Sequence, residues 1–487
     1  MIWGISANSH DAALAVFDNN VDLKFASQSE RFSRVKNDPH LHKDLVDYAK
    51  QFGEPEHVVW YENPYKKTAR QLLAGQGWNA KKNNVKEYLQ QYNINPARIN
   101  YVDHHRSHAA AGFNTSGFYD ATIVCIDSIG EFETLTVWSA TPTGMKKVYS
   151  QRYPHSVGMW YTAMTQRVGL KPQEDEYILM GMAAYGDGDR LYHDVKRDFV
   201  EIGGKPMIKF NRNLHRGCKY WRPDLTTEQD HFDIAAATQF VYEDILRHLL
   251  GTFARKLPSK NLVLMGGCAL NCSANSVAYE YFKNVWVMPN PGDSGSAIGA
   301  VLSYYDKRIK WPGPYLGYNI EGEYPVAKIL IELSRGAGIC GVANGPSEFG
   351  PRAFGNRSLL ADPRGSDIKD RVNTIKQRQE FRPFAPAILE EHASDIFAGS
   401  YGPYMQFTAH CRYPALYPAI VHVDGTSRVQ TVGRHDNRGF RQLLERWYEL
   451  TGCPMLLNTS LNVKGQPIVN TMLDAKEFEN QYNIKVY

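Results

Sequence analysis

The clearest chemical signature in this 487-residue sequence is a pair of histidines, His104 and His108, in the segment DHHRSHAAA. The alanine content predicts a helix, and side chains at positions i and i+4 of a helix lie on one face. Two imidazoles on one face are a common arrangement for binding a first-row transition metal. The same spacing also arises by chance, so a metal site needs further ligands to support it.

Two aspartates stand where they would complete such a site. Asp127 ends the apolar strand predicted over 121–127, where a carboxylate faces the mouth of a sheet rather than its core. Asp293 follows the strand predicted over 285–288 and is expected as the N-cap of a helix, with a plain cap as the alternative to a ligand. Two imidazoles and two carboxylates without thiolates suit Fe(II), Mn or Zn, and the residues do not choose among these metals.

His10 and Asp11 occupy the first polar turn of the chain, between strands predicted over 2–6 and 12–17. They form either a general base with its orienting acid or an ordinary Asx turn. Both interpretations stay open on the sequence alone.

A second concentration of chemistry lies beyond residue 350. The window 352–382 holds eight Lys or Arg residues against four carboxylates, and no GxxxxGK[ST] motif occurs in the chain. Arginine is the residue type for bidentate phosphate contact, so side chains rather than a P-loop would hold a phosphate here. A solvated helix face explains Arg352 and Arg382 poorly, because both stand in Gly-, Pro- and Phe-rich segments. The polar residues expected to extend this polyphosphate or nucleotide pocket are Lys376, His422, Arg428, Asn458, Ser460 and Asn462.

The elements that must position these residues follow two patterns. Over 1–315 a strand, a polar turn with an acid at its tip and a returning strand occur twice, at 2–28 and at 121–151. This duplication predicts an actin-like or sugar-kinase-like α/β domain, with two unrelated hairpins as the alternative. Helices are expected over 232–253 and from 267 to about 282. The predicted linker is WPGPYLG, residues 311–317.

Residues 319–487 are predicted to form a second α/β domain. Its expected strands cover 339–343, 384–388, 405–409, 420–423, 429–432 and 455–458, and its expected helices cover 324–335, 366–378 and 437–450.

Composition limits the class of protein. Lys and Arg total 55 and Asp and Glu total 51, a net charge of +4, which argues against a polymeric nucleic-acid partner. Seven cysteines without a CxxC pair indicate reduced thiols. No basic leader and no run of 18 apolar residues occur, so we expect a cytoplasmic protein without membrane contact. The sequence leaves the oligomeric state open.

Collinear blocks along nearly the whole chain resemble the O-carbamoyltransferases of the nodulation-protein and cephem or tobramycin type. The blocks are SHDAALAVF, DHHRSHAAAGF, CIDSIGE, EYILMGMAAYG, MGGCALNCSAN, PNPGDSGSAIGA, EFGPRAFGNRSLLADPR, KQRQEFRPFAPAIL, HVDGTSRVQTV and LLNTSLNVKGQPIV. The resemblance implies an actin-like (ASKHA) domain, residues 1–315, fused to a domain similar to threonylcarbamoyl-AMP synthase, residues 319–487.

The resemblance also implies a two-step reaction. Carbamoyl phosphate and ATP, with Mg, would give carbamoyl-adenylate in the second domain. The first domain would then pass the carbamoyl group to a hydroxyl of a small acceptor, which is a sugar, an antibiotic or a hydroxymethyl-pyrimidine nucleotide. The alternatives are a tRNA threonylcarbamoyl-type transferase, which the low net charge disfavours, and an actin-like nucleotide switch, which would tolerate loss of His104 and His108.

The resemblance assigns roles to matching residues. It makes His104, His108, Asp127 and Asp293 ligands of a divalent metal, with Fe(II) expected ahead of Mn or Zn. It puts His10 on the substrate side of that metal, so His10 with Asp11 is the candidate catalytic pair. The candidate contacts of ATP and carbamoyl phosphate are Arg352, Lys376, Arg382, His422, Arg428, Asn458 and Ser460.

Overall fold

The computed structural model describes residues 1–487, which divide into two compact units. The first unit comprises residues 1–29 and 37–311, and the second comprises residues 30–36 and 312–487. The second unit therefore includes a short segment from early in the chain, which contains helix α1 (Glu30–Ser33). No feature of the sequence had indicated that this segment belongs with the second unit.

The first unit is built on two five-stranded sheets of the same topology. Its strands are β1 (Ile2–Ser6), β2 (Ala13–Phe17), β3 (Leu23–Gln28), β4 (His57–Trp60), β5 (Arg98–Tyr101), β6 (Ala121–Gly130), β7 (Glu133–Thr141), β8 (Gly144–Arg152), β9 (Val200–Ile202), β10 (Ile208–Phe210), β11 (Asn261–Met265) and β12 (Asn284–Val287). The sheet orders are β3-β2-β1-β4-β5 and β8-β7-β6-β11-β12. In each sheet an antiparallel three-stranded meander is followed by two strands that add in parallel beside its first strand.

Ten helices of the first unit cover and connect these sheets. They are α2 (Lys43–Lys50), α3 (Pro64–Leu73), α4 (Val85–Gln90), α5 (His104–Ser116), α6 (Val157–Arg167), α7 (Glu176–Met182), α8 (Gly188–Phe199), α9 (Glu228–Lys256), α10 (Cys272–Asn275) and α11 (Ser296–Tyr304). The long helix predicted from 267 to about 282 is wrong, because only α10 and short 3-10 turns occur there.

Helix α11 packs very closely against α5 and β1. A Cβ atom at Gly299 would lie 1.9 Å from the carbonyl oxygen of Ser107, and one at Gly4 would lie 1.9 Å from that of Ala297. Only glycine permits such an approach. This packing fixes the start of α11 beside the histidine-bearing first turns of α5.

The second unit is built around a five-stranded sheet of order β14-β16-β22-β17-β21. Its strands are β13 (Tyr315–Ile320), β14 (Ile339–Ala343), β15 (Gly345–Glu348), β16 (Arg357–Ala361), β17 (Ala385–Leu389), β18 (Phe397–Gly399), β19 (Ala409–Cys411), β20 (Thr426–Ser427), β21 (Gln430–Val432) and β22 (Met455–Ser460). Its further helices are α12 (Val326–Arg335), α13 (Ile368–Lys376), α14 (Ala393–Ile396), α15 (Arg438–Thr451) and α16 (Met472–Tyr482). In neither unit does a helix combine the length and apolarity needed to cross a bilayer.

Two strands predicted for the second unit are wrong. Of the segment 405–409, only Ala409 lies in a strand, at the start of β19, and residues 420–423 form no strand. Ile420 is fully buried, so this apolar run reflects packing against the core rather than a strand. The central strand β22 is buried over its first four residues, with Leu456 and Leu457 at 0% exposure.

Candidate metal centre and anion site

The two histidines of the predicted pair lie on the first two turns of α5. His104 is 2% exposed and His108 is 0% exposed, and their Nε2 atoms are 3.1 Å apart. Two ring nitrogens that face each other at this distance need a proton or a cation between them. The helix therefore presents both donors to one point in the interior of the first unit.

The two aspartates reach the same point from different elements. Asp127 lies in β6 and its Oδ2 is 3.1 Å from His104 Nε2. Asp293 Oδ1 is 3.3 Å from the Nε2 atoms of both His104 and His108. The expectation that Asp293 caps a helix is wrong, because it is the first residue of a 3-10 turn capped by Gly292, and the N-cap of α11 is Gly295. Its carboxylate faces the imidazoles instead.

The four donors fit a small divalent cation. The ligand atoms of His104, His108, Asp127 and Asp293 all lie within 4.8 Å of one another, and all four residues are buried. Metal–ligand bonds of about 2.0–2.2 Å in a tetrahedron put ligand atoms about 3.4 Å apart. The measured separations of 3.1 and 3.3 Å are close to that value. A borderline metal such as Fe(II), Mn or Zn suits this mixture of nitrogen and oxygen donors.

The electrostatics of the cluster also favour a cation. Burial lowers the pKa of His104, but the facing carboxylates of Asp293 and Asp127 outweigh burial and hold that pKa well above its usual range. Burial and the neighbouring Asp293 charge act to raise the pKa of Asp127, but the histidines lower it to about 2. The histidines likewise hold the pKa of Asp293 well below its usual range. Both carboxylates are thus ionised near neutral pH and need positive charge beside them, which protonated imidazole or a bound cation supplies.

Two further residues support the histidines, and no motif or spacing in the sequence had indicated either of them. Ser296, at the start of α11, places its Oγ 3.2 Å from His108 Nδ1, which leaves Nε2 for the cluster. Glu131 accepts hydrogen bonds from the backbone N–H groups of His104 (3.2 Å) and Asn63 (2.6 Å). Burial is the main cause that raises the pKa of Glu131, to about 7.

His10 and Asp11 lie in the turn between β1 and β2. His10 Nδ1 is 3.3 Å from Asp11 Oδ2, and Asp11 has a left-handed backbone conformation with φ of 57°. Burial acts to lower the pKa of His10, but Asp11 and then the cluster residues Asp293 and Asp127 raise it. The His10 side chain keeps 43% of its surface exposed, so it adjoins both the cluster and solvent.

In the second unit, one network ties three predicted segments together. Asn458 Nδ2 donates to the carbonyl of Ala353 (3.1 Å) and to Gln430 Oε1 (2.6 Å). Gln430 Nε2 in turn donates to the carbonyl of Phe354 (3.3 Å). Three segments therefore meet: the loop that carries Arg352, strand β22 at Asn458, and strand β21 at Gln430, two residues after Arg428.

Lys376 and Ser460 also meet, but in an unexpected way. Lys376 is buried, and its Nζ donates to the Ser460 carbonyl (2.5 Å), the Asn462 carbonyl (2.9 Å) and Asn462 Oδ1 (3.1 Å). Burial, with a smaller effect from Arg378 and Arg382, holds the pKa of Lys376 well below its usual range. This amino group thus organises the loop after β22.

The remaining predicted residues of the second unit have local partners. The Arg382 carbonyl accepts a hydrogen bond from Arg378 Nη2 (3.3 Å), which orders the segment after α13. His422 is buried, and its Nδ1 lies 3.7 Å from Asp424 Oδ1. Neither contact involves Asn458 or Lys376.

Comparisons with known proteins point to one family. The family described as "Carbamoyltransferase N-terminus" matches residues 56–302, and "Carbamoyltransferase C-terminus" matches residues 332–487. The nodulation protein NolNO of Sinorhizobium fredii is 32% identical over 520 residues, which cover 96% of this chain and 76% of that protein. The nodulation protein NolO of Bradyrhizobium diazoefficiens is 33% identical over 413 residues, 77% of this chain and 75% of that one. An uncharacterised protein of Synechocystis is 32% identical over 97% of this chain and 93% of its own.

Proposed function

The chain belongs to the carbamoyltransferase family, and from this we propose that it is an ATP-dependent O-carbamoyltransferase acting in two steps. The observation that carries the proposal is the buried cluster of two histidines and two aspartates in the first unit. In this proposal the first unit is a duplicated actin-like domain, which the shared topology of its two sheets supports. The second unit is similar to threonylcarbamoyl-AMP synthase.

The first step takes place in the second unit and activates the carbamoyl group. Water releases phosphate from carbamoyl phosphate to give carbamate. A carbamate oxygen then bonds to the α-phosphorus of Mg-bound ATP while the bond to pyrophosphate breaks, which yields carbamoyl-adenylate. Arg352, Arg382 and Arg428 neutralise phosphate charge in this step, because guanidinium groups bind phosphate oxygens in pairs.

The loop network supports this assignment. Asn458 and Gln430 hold the Arg352 loop through two backbone carbonyls, and Lys376 orders the loop that follows Ser460. Preorganised cations stabilise developing charge without having to reorient during the reaction. His422 is the remaining candidate contact of ATP and carbamoyl phosphate.

The second step takes place at the cluster of the first unit. The acceptor hydroxyl oxygen bonds to the carbamoyl carbon, the bond from that carbon to the AMP oxygen breaks, and AMP leaves. His10 in its neutral form takes the acceptor proton, and Asp11 orients its ring, since the two side chains are 3.3 Å apart. The carboxylates that raise the pKa of His10 stabilise the imidazolium formed by this transfer. His104, His108, Asp127 and Asp293 would hold a divalent metal, Fe(II) ahead of Mn or Zn, which when bound polarises the carbamoyl oxygen as a Lewis acid.

The acceptor of this proposal is a small molecule with a free hydroxyl, either a sugar or antibiotic or a hydroxymethyl-pyrimidine nucleotide. The test is to incubate the purified protein with ATP, Mg and labelled carbamoyl phosphate. We expect pyrophosphate release and a labelled carbamoyl-adenylate that is consumed when a hydroxyl acceptor is added. Absence of both products would overturn the proposed function.

A further inference from the structure

Two loops of the first unit are rich in cations and contain no carboxylate. Loop 74–84 carries Lys81 and Lys82, and loop 211–222 carries four arginines or lysines without any Asp or Glu. Arg222 is paired with Asp194 and Asp224, which leaves Lys81, Lys82, Arg212, Arg216 and Lys219. These five charges exceed the net charge of +4 of the whole chain. The remaining five cations all lie on the surface.

Each loop also exposes a large aromatic ring. Trp78 is 72% exposed and Tyr220 is 84% exposed. A cavity of about 400 Å³ lies beside Trp78, with Lys81 and Lys82 in its wall and Glu87 as its carboxylate. Exposed rings beside cations are the features with which proteins bind single-stranded nucleic acid, since bases stack on the rings and the cations follow the phosphates.

The two loops are in contact with each other. Gln76 Nε2 lies 3.1 Å from His215 Nε2, so the Trp78 loop and the Tyr220 loop form one surface. We call the residues Trp78, Lys81, Lys82, Arg216, Lys219 and Tyr220 the basic aromatic surface.

A chain of hydrogen bonds leads from this surface to the candidate metal centre. Arg70 Nη1 donates to Gln76 Oε1 (2.8 Å), and Arg70 Nε donates to the Glu131 carbonyl (3.1 Å). Glu131 in turn accepts the hydrogen bond from the backbone N–H of His104. The surface is therefore built onto the same framework that supports the histidine pair.

We propose that the basic aromatic surface binds single-stranded nucleic acid. This inference goes beyond the proposed function and rests on the surface itself. A free mononucleotide offers one base and one phosphate group, whereas two aromatic rings on separate loops and four cations match several consecutive nucleotides. The low net charge of the whole chain does not argue against a nucleic-acid partner here, because it is a sum over 55 basic and 51 acidic residues and does not report the local charge of this surface.

The test uses a fluorescein-labelled oligothymidylate of about 20 nucleotides, with binding followed by fluorescence anisotropy between about 50 and 200 mM salt. Lys81→Gln/Lys82→Gln is compared with Lys260→Gln/Lys283→Gln, which makes the same charge change at exposed lysines outside the two loops. Trp78→Ala is compared with Tyr119→Ala, whose ring is also 72% exposed.

We expect the wild type and both controls to bind with the same salt dependence. The slope of log affinity against log salt should fall by about 1.4 in the Lys81/Lys82 variant, and Trp78→Ala should bind about tenfold more weakly. Equal binding by all variants, or competition by thymidine monophosphate as effective as by the oligomer, would overturn the proposal.

Carbamoyl-adenylate formation is measured on the same samples and separates the two proposals. We expect all variants to form the adenylate at the wild-type rate, because none of the changed residues lies in the second unit. Adenylate formation without oligomer binding overturns the nucleic-acid proposal alone. Oligomer binding without adenylate formation overturns the proposed two-step function and leaves the surface assignment intact.

Discussion

The Nε2 atoms of His104 and His108 face each other at 3.1 Å, and Asp293 Oδ1 lies 3.3 Å from each of them. Three atoms in this arrangement do not satisfy one another with neutral imidazoles, because only one hydrogen can lie between the two nitrogens. A divalent cation at the centre would satisfy all three and the Asp127 carboxylate as well. Metal removal and replacement are therefore the most direct probes of the first unit.

Asp293→Asn should strongly weaken metal binding at the cluster, with little change in side-chain volume. We expect metal affinity to fall about 100-fold or more, measured by elemental analysis after anaerobic loading with Fe(II). Mutation of a residue that only supports a metal ligand lowers metal affinity by up to about 100-fold, and loss of a ligand should cost at least as much. Carbamoyl transfer should fall with it, whereas carbamoyl-adenylate formation should not. Asp47→Asn, at an exposed position of α2, is the control for loss of one carboxylate. A fully loaded Asp293→Asn protein would contradict the metal assignment.

Asn458→Ala should affect the other half of the reaction. The change removes both hydrogen bonds that join Asn458 to the Ala353 carbonyl and to Gln430, and so loosens the Arg352 loop. We expect the KM for carbamoyl phosphate in adenylate formation to rise about tenfold and the free energy of unfolding to fall by about 1–3 kcal/mol. Transfer from preformed carbamoyl-adenylate should be unchanged. Gln442→Ala on the exposed side of α15 is the matched control, and an unchanged KM would refute the role of the loop.

Local sequence signals were enough to identify His104, His108 and Asp127 as candidate metal ligands. The alanine content and the four-residue spacing were enough to predict helix α5 and the common direction of His104 and His108. Asp127 was found because a carboxylate at the end of an apolar strand is conspicuous. Asp293 was identified as a candidate but with the wrong backbone role, since a 3-10 turn and a capped helix begin with similar residues.

The supporting residues were not predictable in the same way. Ser296 contacts a histidine 188 positions earlier, and Glu131 contacts one 27 positions earlier. Neither contact leaves a periodic or spacing signal, because both depend on how α11 and β6 pack against α5. The same limit explains the misplaced strand at 420–423, where burial of Ile420 produced an apolar run without strand pairing.

The ion pair between Arg441 and Glu391 should give the second unit an acid-dependent stability. Hydrogen bonds from Arg441 Nη1 (2.9 Å) and Nη2 (2.6 Å) lower the pKa of Glu391 to about 2 from its ordinary value of 4.5. A depressed pKa contributes stability above the unfolded value that is lost as the pH falls through the folded value. Because Glu391 is 39% exposed, solvent screening limits the contribution to about 1 kcal/mol or less.

We therefore expect wild type to exceed Glu391→Gln in free energy of unfolding at pH 7, with the difference shrinking between about pH 4.5 and pH 2. Urea denaturation at several pH values measures this difference. Glu477→Gln, exposed on α16, is the control and should show no comparable pH dependence. A difference that grows as the pH falls would contradict the assignment.

Gly130→Ala should disable the metal centre without changing any ligand. A Cβ at residue 130 would lie 2.2 Å from His104 Cδ2 and 2.4 Å from His104 Cγ, far inside contact distance. The His104 ring must therefore move, and a displaced ligand should lower metal affinity about 10- to 100-fold.

The cost of Gly130→Ala in unfolding free energy should be about 1–3 kcal/mol, typical of an overpacked core, so the protein should still fold. Gly204→Ala is the matched control, because a Cβ there meets nothing closer than the Pro206 carbonyl oxygen at 3.7 Å. Circular dichroism separates misfolding from loss of metal in both variants. A folded Gly130→Ala protein with wild-type metal affinity would mean that His104 binds no metal, since its ring cannot keep its position beside that methyl group.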